Sequence, residues 1–323
     1  MKPSKLIALC LAALLALLFF AGPRETVDYR PFTRALPNDL QAYLRESEAA
    51  YPDITPGAEK TIIWAHPEQL QTDLAIVYLH GFSATRQETA PLCDDLAATL
   101  GANLFYTRLT GHGRSNAAMG EASAADWLQD AEEALAIGQR LGRRVIVIGT
   151  STGGTLAAWL AATQTDASVL AYVLISPNFS PKDSASQVLT WPWANAFTPL
   201  LLGKERQWTP RNSEQARYWT HRYPTKALLP MMALVTTVND LPLEQIQAPL
   251  LLIHATDDKV VSSAAATRAF ARLGSTNKQR VELQHSQDSS HHVLAGRIMA
   301  PADTNRVTQL IEAFVREQAA ASE

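Results

Sequence analysis

The sequence predicts an α/β domain: a mostly parallel sheet with helices on both faces and a helical segment inserted late in the chain. Three observations carry that expectation. Apolar, β-branched runs alternate with amphipathic stretches between Leu74 and Ser176, and again from Ala248 to Arg316; strand following helix in this way is how a parallel sheet covered on both faces reads. Between those blocks the alternation stops. Residues 178–246 hold recurrent prolines, no clear strand, and four of the seven tryptophans (Trp191, Trp193, Trp208 and Trp219). A structureless loop of that length is not expected in a compact domain, so an inserted helical cap is predicted there. The third observation is Val145 to Ile148, a run without a polar residue that empties into Gly149-Thr150-Ser151-Thr152-Gly153 ahead of a small-residue helix.

The elements follow in order. The chain has 323 residues, 47% of them hydrophobic and 18% charged, with a net charge of −3. That is a globular composition without the basic surface a nucleic-acid partner requires. Cys10 and Cys93 are the only cysteines, and they form neither a zinc-like spacing nor a disulfide pair within the folded domain. Residues 1–22 read as a targeting segment: Lys2 and Lys5 precede an uninterrupted apolar run, Leu6 to Ala21. Both a secretory signal peptide and a single-pass N-terminal membrane anchor fit, with the lysines cytoplasmic and the domain exported, periplasmic or otherwise extracytoplasmic. Residues 23–60 form an extension with a helix near Asn38 to Glu48, where Asn38 is the expected cap.

Thr61 to Ala65 is expected as an edge strand and Leu74 to Leu79 as an inner one that runs into His80-Gly81-Phe82. Thr89 to Leu100 reads as a helix stopped by Gly101, and Ala102 to Thr107 as a strand. Ser123-Ala124-Ala125-Asp126 forms a capping box that opens a helix through Leu141, with Gly142 as its left-handed stop. The strand Ser168 to Ser176 follows the glycine-flanked serine. After the insertion come the strand Ala248 to His254, a helix capped by Ser262 and closed by Gly274, the strand Arg280 to Gln284, and a last helix from Ala302 to Arg316. The core is therefore 61–177 with 247–323, and the cap 178–246.

Strand before and helix after turn a common glycine-serine pattern into a nucleophile elbow. The tight turn lifts Ser151 clear of the sheet at a helix N-terminus, where developing negative charge is favoured. A serine hydroxyl needs a base, and a histidine base needs an acid to fix its tautomer. Asp257-Asp258 and His291-His292 each lie just past a later predicted strand, at the sheet edge where open α/β folds bind ligands. Either member of each pair fits this argument. The backbone N–H groups of Phe82 and Thr152 are placed to form an oxyanion hole. His80 is expected to orient its loop, and His112 to be structural. The cap tryptophans, Trp191 and Trp193 first, are candidates for an apolar substrate pocket.

On His80-Gly81-Phe82, Gly111-His112-Gly113, the elbow, Asp258-Lys259-Val260-Val261 and His292-Val293-Leu294, the chain resembles the α/β-hydrolases of the carboxylesterase and monoacylglycerol-lipase type, close to the S33 serine-aminopeptidase group. The resemblance covers roughly Ile62 to Val315. It implies an eight-stranded sheet, no cofactor and no metal, and it selects Asp258 and His292 as partners of Ser151. Thr150 and Thr152 depart from the elbow neighbours usual in that group, which bears on substrate type. The function it implies is a serine hydrolase cleaving small-molecule carboxylic esters through an acyl-enzyme. Two rivals stand beside it: an aminopeptidase or amidase on the same fold, and a non-catalytic module holding a hydrophobic ligand.

Overall fold

The computed structural model describes residues 3–164 and 166–321; Lys2, part of the expected targeting charge, lies outside them. The chain runs α1 (Pro3–Phe20), α2 (Leu40–Ala49), β1 (Thr61–Ile63), β2 (Thr72–Leu79), α3 (Leu92–Leu100), β3 (Asn103–Tyr106), α4 (Ala124–Leu141), β4 (Gly142–Thr150), α5 (Thr152–Thr163) and β5 (Val169–Ile175). The insertion holds α6 (Ala194–Leu202), β6 (Glu205–Gln207), α7 (Ser213–Tyr218), β7 (Arg222–Pro224) and α8 (Leu228–Asn239). Then come β8 (Leu250–Ala255), α9 (Ser263–Arg272), β9 (Lys278–Leu283) and α10 (Pro301–Ala321).

The central sheet has the order β1-β3-β2-β4-β5-β8-β9. Only β1 runs antiparallel to its neighbour, β3. Successive side chains of a strand point to opposite faces, and here both faces are apolar. Val77, Leu79, Val145, Val147, Leu174 and Leu252 pack on one side with α4, α5 and α8. Ile76, Tyr78, Ile146, Ile148, Val173 and Ile253 pack on the other with α3 and α10. This double burial explains why the inner strands read as continuous apolar runs instead of alternating ones.

Several expectations are corrected. The sheet has seven strands among the described residues, not the eight the resemblance implies. Ahead of β1, the stretch 50–60 contains Pro52, Pro56 and Gly57 and turns instead of pairing; proline offers no N–H to a ladder. Asp39, not Asn38, caps α2, accepting from the Ala42 N–H at 2.8 Å. Helix α3 starts at Leu92, behind Pro91, not at Thr89. The capping box of Ser123 and Asp126 forms as expected. Gly142 does not stop α4 in a left-handed turn; it is extended and begins β4, where a Cβ would lie 2.4 Å from the Ala75 nitrogen. Gly274 likewise serves close approach, since a Cβ there would meet the Glu244 carbonyl oxygen at 2.0 Å. The insertion also contains a two-stranded antiparallel pair, β6 and β7. Its three-residue strands are too short and too polar to show a period of two.

The extension is fastened to the core by buried charge. Arg108 grips the Glu48 carboxylate from two nitrogens at 2.7 and 2.9 Å. The Lys60 ammonium and the Tyr43 hydroxyl both donate to Glu133 of α4. Burial opposes a charged Lys60, but the carboxylates of Asp130, Glu133 and Glu48 outweigh it and hold its pKa above the usual value. A polar cavity of about 240 Å³ lies among these side chains.

Candidate active site

Ser151 is the single residue between β4 and α5, with φ 54° and ψ −116°. A non-glycine residue there costs on the order of 1–3 kcal/mol and persists only when its surroundings hold it. They do. The Ser151 N–H donates to the Ile175 carbonyl at 2.9 Å, and its own carbonyl accepts from the N–H groups of Thr155 and Asn178, each at 3.1 Å. The flanking glycines are required by space. A Cβ on Gly149 would lie 2.2 Å from the Gly153 carbonyl oxygen, and one on Gly153 would lie 1.9 Å from the Leu79 carbonyl oxygen.

Asp258 follows β8 and His292 follows β9, so both stand at the sheet edge that carries Ser151. Asp258 is buried and accepts from the Val260 and Val261 N–H groups at 2.7 and 2.9 Å through Oδ1. Its Oδ2 lies 2.8 Å from His292 Nδ1. A carboxylate only accepts, so Nδ1 carries the proton and Nε2 is the basic nitrogen. Nε2 makes no hydrogen bond among the described residues. Burial alone would lower the His292 pKa; the Asp258 bond and the charges of Asp258, Glu88 and Asp288 override it and raise it above the ordinary histidine value. The neighbouring pair is looser. His291 and Asp257 approach only to 3.5 Å, and half of the Asp257 side chain is exposed.

The loop after β2 comes close to the elbow. His80 donates from Nδ1 to the Gly81 carbonyl at 2.9 Å and accepts the Leu109 N–H on Nε2 at 3.0 Å. Both nitrogens are thus committed, and burial beside His112 and Arg108 pushes its pKa well down. His112 is fully buried against the Phe82 and Trp127 rings, with its pKa lowered by burial to about 4. The Phe82 and Thr152 N–H groups have no hydrogen-bond acceptor among the described residues.

Three contributors are absent from the sequence reading. Glu88, which ends a 3₁₀ turn (Arg86–Glu88), is 3% exposed and accepts the Gly81 N–H at 2.6 Å. Asp288 accepts the N–H groups of His292 and Val293 at 3.1 and 3.0 Å and thereby shapes the histidine loop. Arg211, from the insertion, donates to that same Asp288 carboxylate. Trp191 and Trp193 are not brought to these residues. They are half exposed and contact the end of α1: the Trp193 indole N–H faces the Leu18 and Phe19 carbonyls at 3.3 and 3.2 Å, and the Trp191 ring meets Phe19 edge-on. The tryptophans turned to the core are Trp208 and Trp219, which pack with Val293 and Ala84. Tyr223 of β7 sits edge-on to Phe82, the ring centroids 5.4 Å apart. The position of a tryptophan within an insertion says nothing about which side of it faces inward.

A family model for serine aminopeptidases, S33, matches residues 71–294. The chain belongs to this hydrolase family. The match spans the β2 loop, the elbow, Asp258 and His292. The thermostable monoacylglycerol lipase of Bacillus sp. (strain H-257) is 25% identical over 215 residues, covering 66% of this chain and 82% of the lipase. Among solved structures, one from work on the metagenome-derived lipolytic enzymes LipS and LipT superposes with a TM-score of 0.64 at 22% identity, covering 82% of this chain and 99% of its own. The monoacylglycerol lipase of Paleococcus ferrophilus superposes with a TM-score of 0.62 at 18% identity, covering 80% and 98%. The fold these likenesses share is that of the α/β-hydrolases.

Proposed function

We propose that this S33-family hydrolase cleaves small-molecule carboxylic esters through Ser151, His292 and Asp258. The observation that carries the reading is the buried Asp258–His292 pair, 2.8 Å apart, at the sheet edge of a strained serine. Ser151 Oγ attacks the ester carbonyl carbon as its proton passes to His292 Nε2. The carbonyl oxygen, now an anion, is held by the N–H groups of Phe82 and Thr152. His292 returns the proton to the departing alkoxide, leaving an acyl-Ser151. Water, deprotonated by His292, cleaves that ester, and the proton then returns to Ser151. Asp258 keeps Nδ1 protonated and stabilises the imidazolium. Residues 178–246 act as a cap whose Tyr223, Trp208 and Trp219 give the site an apolar wall. That suits acyl chains of small or medium length, and the likeness to a monoacylglycerol lipase supports an ester as the bond cleaved.

An aminopeptidase needs carboxylates in the cap to hold a free α-amine. Four of the five cap acids are otherwise engaged: Asp183 caps a turn, Glu205 pairs with Arg222, Glu214 with Arg297 and Glu244 with Arg272, while Asp240 stands alone at the end of α8 and forms no cluster among the described residues. This favours esters over amides. Helix α1 is apolar and exposed along its length and long enough to cross a bilayer. We take it as the anchor of a domain outside the cytoplasm, so carbonate washing of membranes should leave the protein in the pellet.

The deciding experiment offers p-nitrophenyl esters from acetate to palmitate, and amino-acid arylamides, to the full-length protein and to Ser151→Ala. Ester turnover should peak at one chain length and fall by about 10⁴-fold or more in the variant. Arylamide turnover without ester turnover would move the assignment to a peptidase. A fluorophosphonate probe that fails to label folded protein would make it a binding module.

A further inference from the structure

We propose that Glu88 is a positioning residue of this centre: its buried carboxyl fixes the turn carrying the Phe82 N–H and serves, beside Asp258, as a second carboxylate partner of the His292 imidazolium. The inference rests on the reading of Ser151, Asp258 and His292 given above.

The geometry is specific. Glu88 Oε1 accepts the Gly81 N–H at 2.6 Å and the Tyr78 hydroxyl at 2.8 Å. Tyr78 is itself held at 3.0 Å by the Thr150 hydroxyl, one residue before Ser151. The carboxyl thus joins the ends of β2 and β4 to the loop between them and the reacting groups. Because Glu88 takes the Gly81 N–H, that group is unavailable to an oxyanion, and the next N–H, that of Phe82, becomes the free donor. The second oxygen, Oε2, faces the chemistry. A methyl group on Gly81 would lie 3.0 Å from Oε2 and 3.2 Å from the Ser151 Cβ, so the two flank one side of Gly81. Oε2 has no hydrogen bond among the described residues.

A carboxyl so deep in the protein is costly unless something uses it. Burial raises the Glu88 pKa to about 7 even against the downward pull of the Gly81 N–H, the Tyr78 hydroxyl and a positive His292. In return the Glu88 charge raises the pKa of His292. The other titratable groups facing the pair are Tyr78 from β2, with Cys93 of α3 acting on it, and Asp258 and Asp288 on the His292 side. Each group thus favours the charged form of the other, so the titration of one depends on the state of the other. As the Ser151 proton reaches Nε2, the imidazolium gains the field of Glu88 as well as Asp258. No proton has to reach Glu88.

The test is the pH profile of kcat/KM for p-nitrophenyl butyrate with full-length wild type, Glu88→Gln, Glu88→Ala and Ser151→Ala. Glutamine keeps the acceptor for Gly81 and Tyr78 but removes the charge. Its acid limb should move to lower pH, by on the order of one unit, because His292 then loses its proton more easily. Alanine also releases the turn, and kcat should fall about tenfold or more with KM nearly unchanged. A merely structural glutamate would lower thermal stability in both variants and leave the limb in place; that result overturns the proposal. In folded Ser151→Ala protein with Glu88 intact, the His292 ring resonance should titrate in two steps, and a single ordinary step overturns the proposal even if the Glu88 variants do not fold. Ser151→Ala that still turns over ester refutes the underlying assignment instead, whatever Glu88 does.

Discussion

Gly153 offers a stringent test of the elbow, because it separates geometry from chemistry. Gly153→Ala adds one methyl group and no charge. That carbon would begin 1.9 Å from the Leu79 carbonyl oxygen and 2.8 Å from that of His80. Both are backbone atoms and cannot rotate away. Real Cβ contacts essentially never fall under 3.0 Å, so the start of α5 and the end of β2 must part by about 1.1 Å. Overpacking of this kind costs about 1–3 kcal/mol. At the upper end, roughly 2 °C per kcal/mol for a chain of this size, the melting temperature falls by about 6 °C. The larger effect is catalytic. The movement acts on the two places that carry the proposed oxyanion donors, the Thr152 N–H and the turn after Leu79, and a displacement of about 1 Å can cost 10²-fold. The assay is kcat on p-nitrophenyl butyrate, with circular dichroism and thermal melting on the same samples. A folded variant with kcat within threefold of wild type would refute the claim that this glycine sets the geometry of the site.

Three further outcomes are expected. Asp258→Asn keeps an acceptor for Val260 and Val261 but loses the charge and frees the wrong His292 tautomer; kcat should fall about 10⁴-fold with the melting curve little changed, and a loss below tenfold would exclude Asp258 as the acid. Because the base must be neutral and the His292 pKa is raised, activity should be full at alkaline pH and fall as the pH drops through a value above 6.5; a kcat/KM profile still flat at pH 6 would contradict that sign. Lys60→Met leaves Glu133 buried without its cation. Urea unfolding should show a loss of about 3–5 kcal/mol with kcat/KM in the folded state nearly unchanged, since the pair lies under α2 and α4.

What the sequence disclosed about the site was whatever is local. Glycines at 149 and 153 are forced by contacts within one turn or against the adjacent strand, so the elbow is legible from a few residues. Strand ends are nearly as legible where double burial leaves an unbroken apolar run, as in β8 ahead of Asp258; β9 is a mostly exposed edge strand, so the placing of His292 leans on the resemblance instead. Glu88, Asp288 and Arg211 were hidden for the opposite reason. Each acts on backbone groups or charges that only the folded chain brings near, and a glutamate in a polar stretch ahead of a helix reads as solvent-facing. The one signal available for Glu88 was its position six residues after the Phe82 loop, in a turn too short to carry it far. The tryptophans failed as a guide because 3.6-residue periodicity is weak in the short, proline-broken pieces of the insertion.

The contact of Arg211 with Asp288 has a bearing on turnover. Asp288 takes the His292 and Val293 N–H groups on Oδ2, and the Ser290 N–H together with the insertion's guanidinium on Oδ1. Its side chain is fully enclosed. Any excursion of the insertion that withdrew Arg211 would take the counter-ion from this enclosed carboxylate and leave it only the N–H and hydroxyl donors of its own loop. The same excursion would loosen the segment that presents His292. With His292 as the base proposed above, the insertion and the presentation of that base share one fastening, so a displacement of the first would be felt by the second.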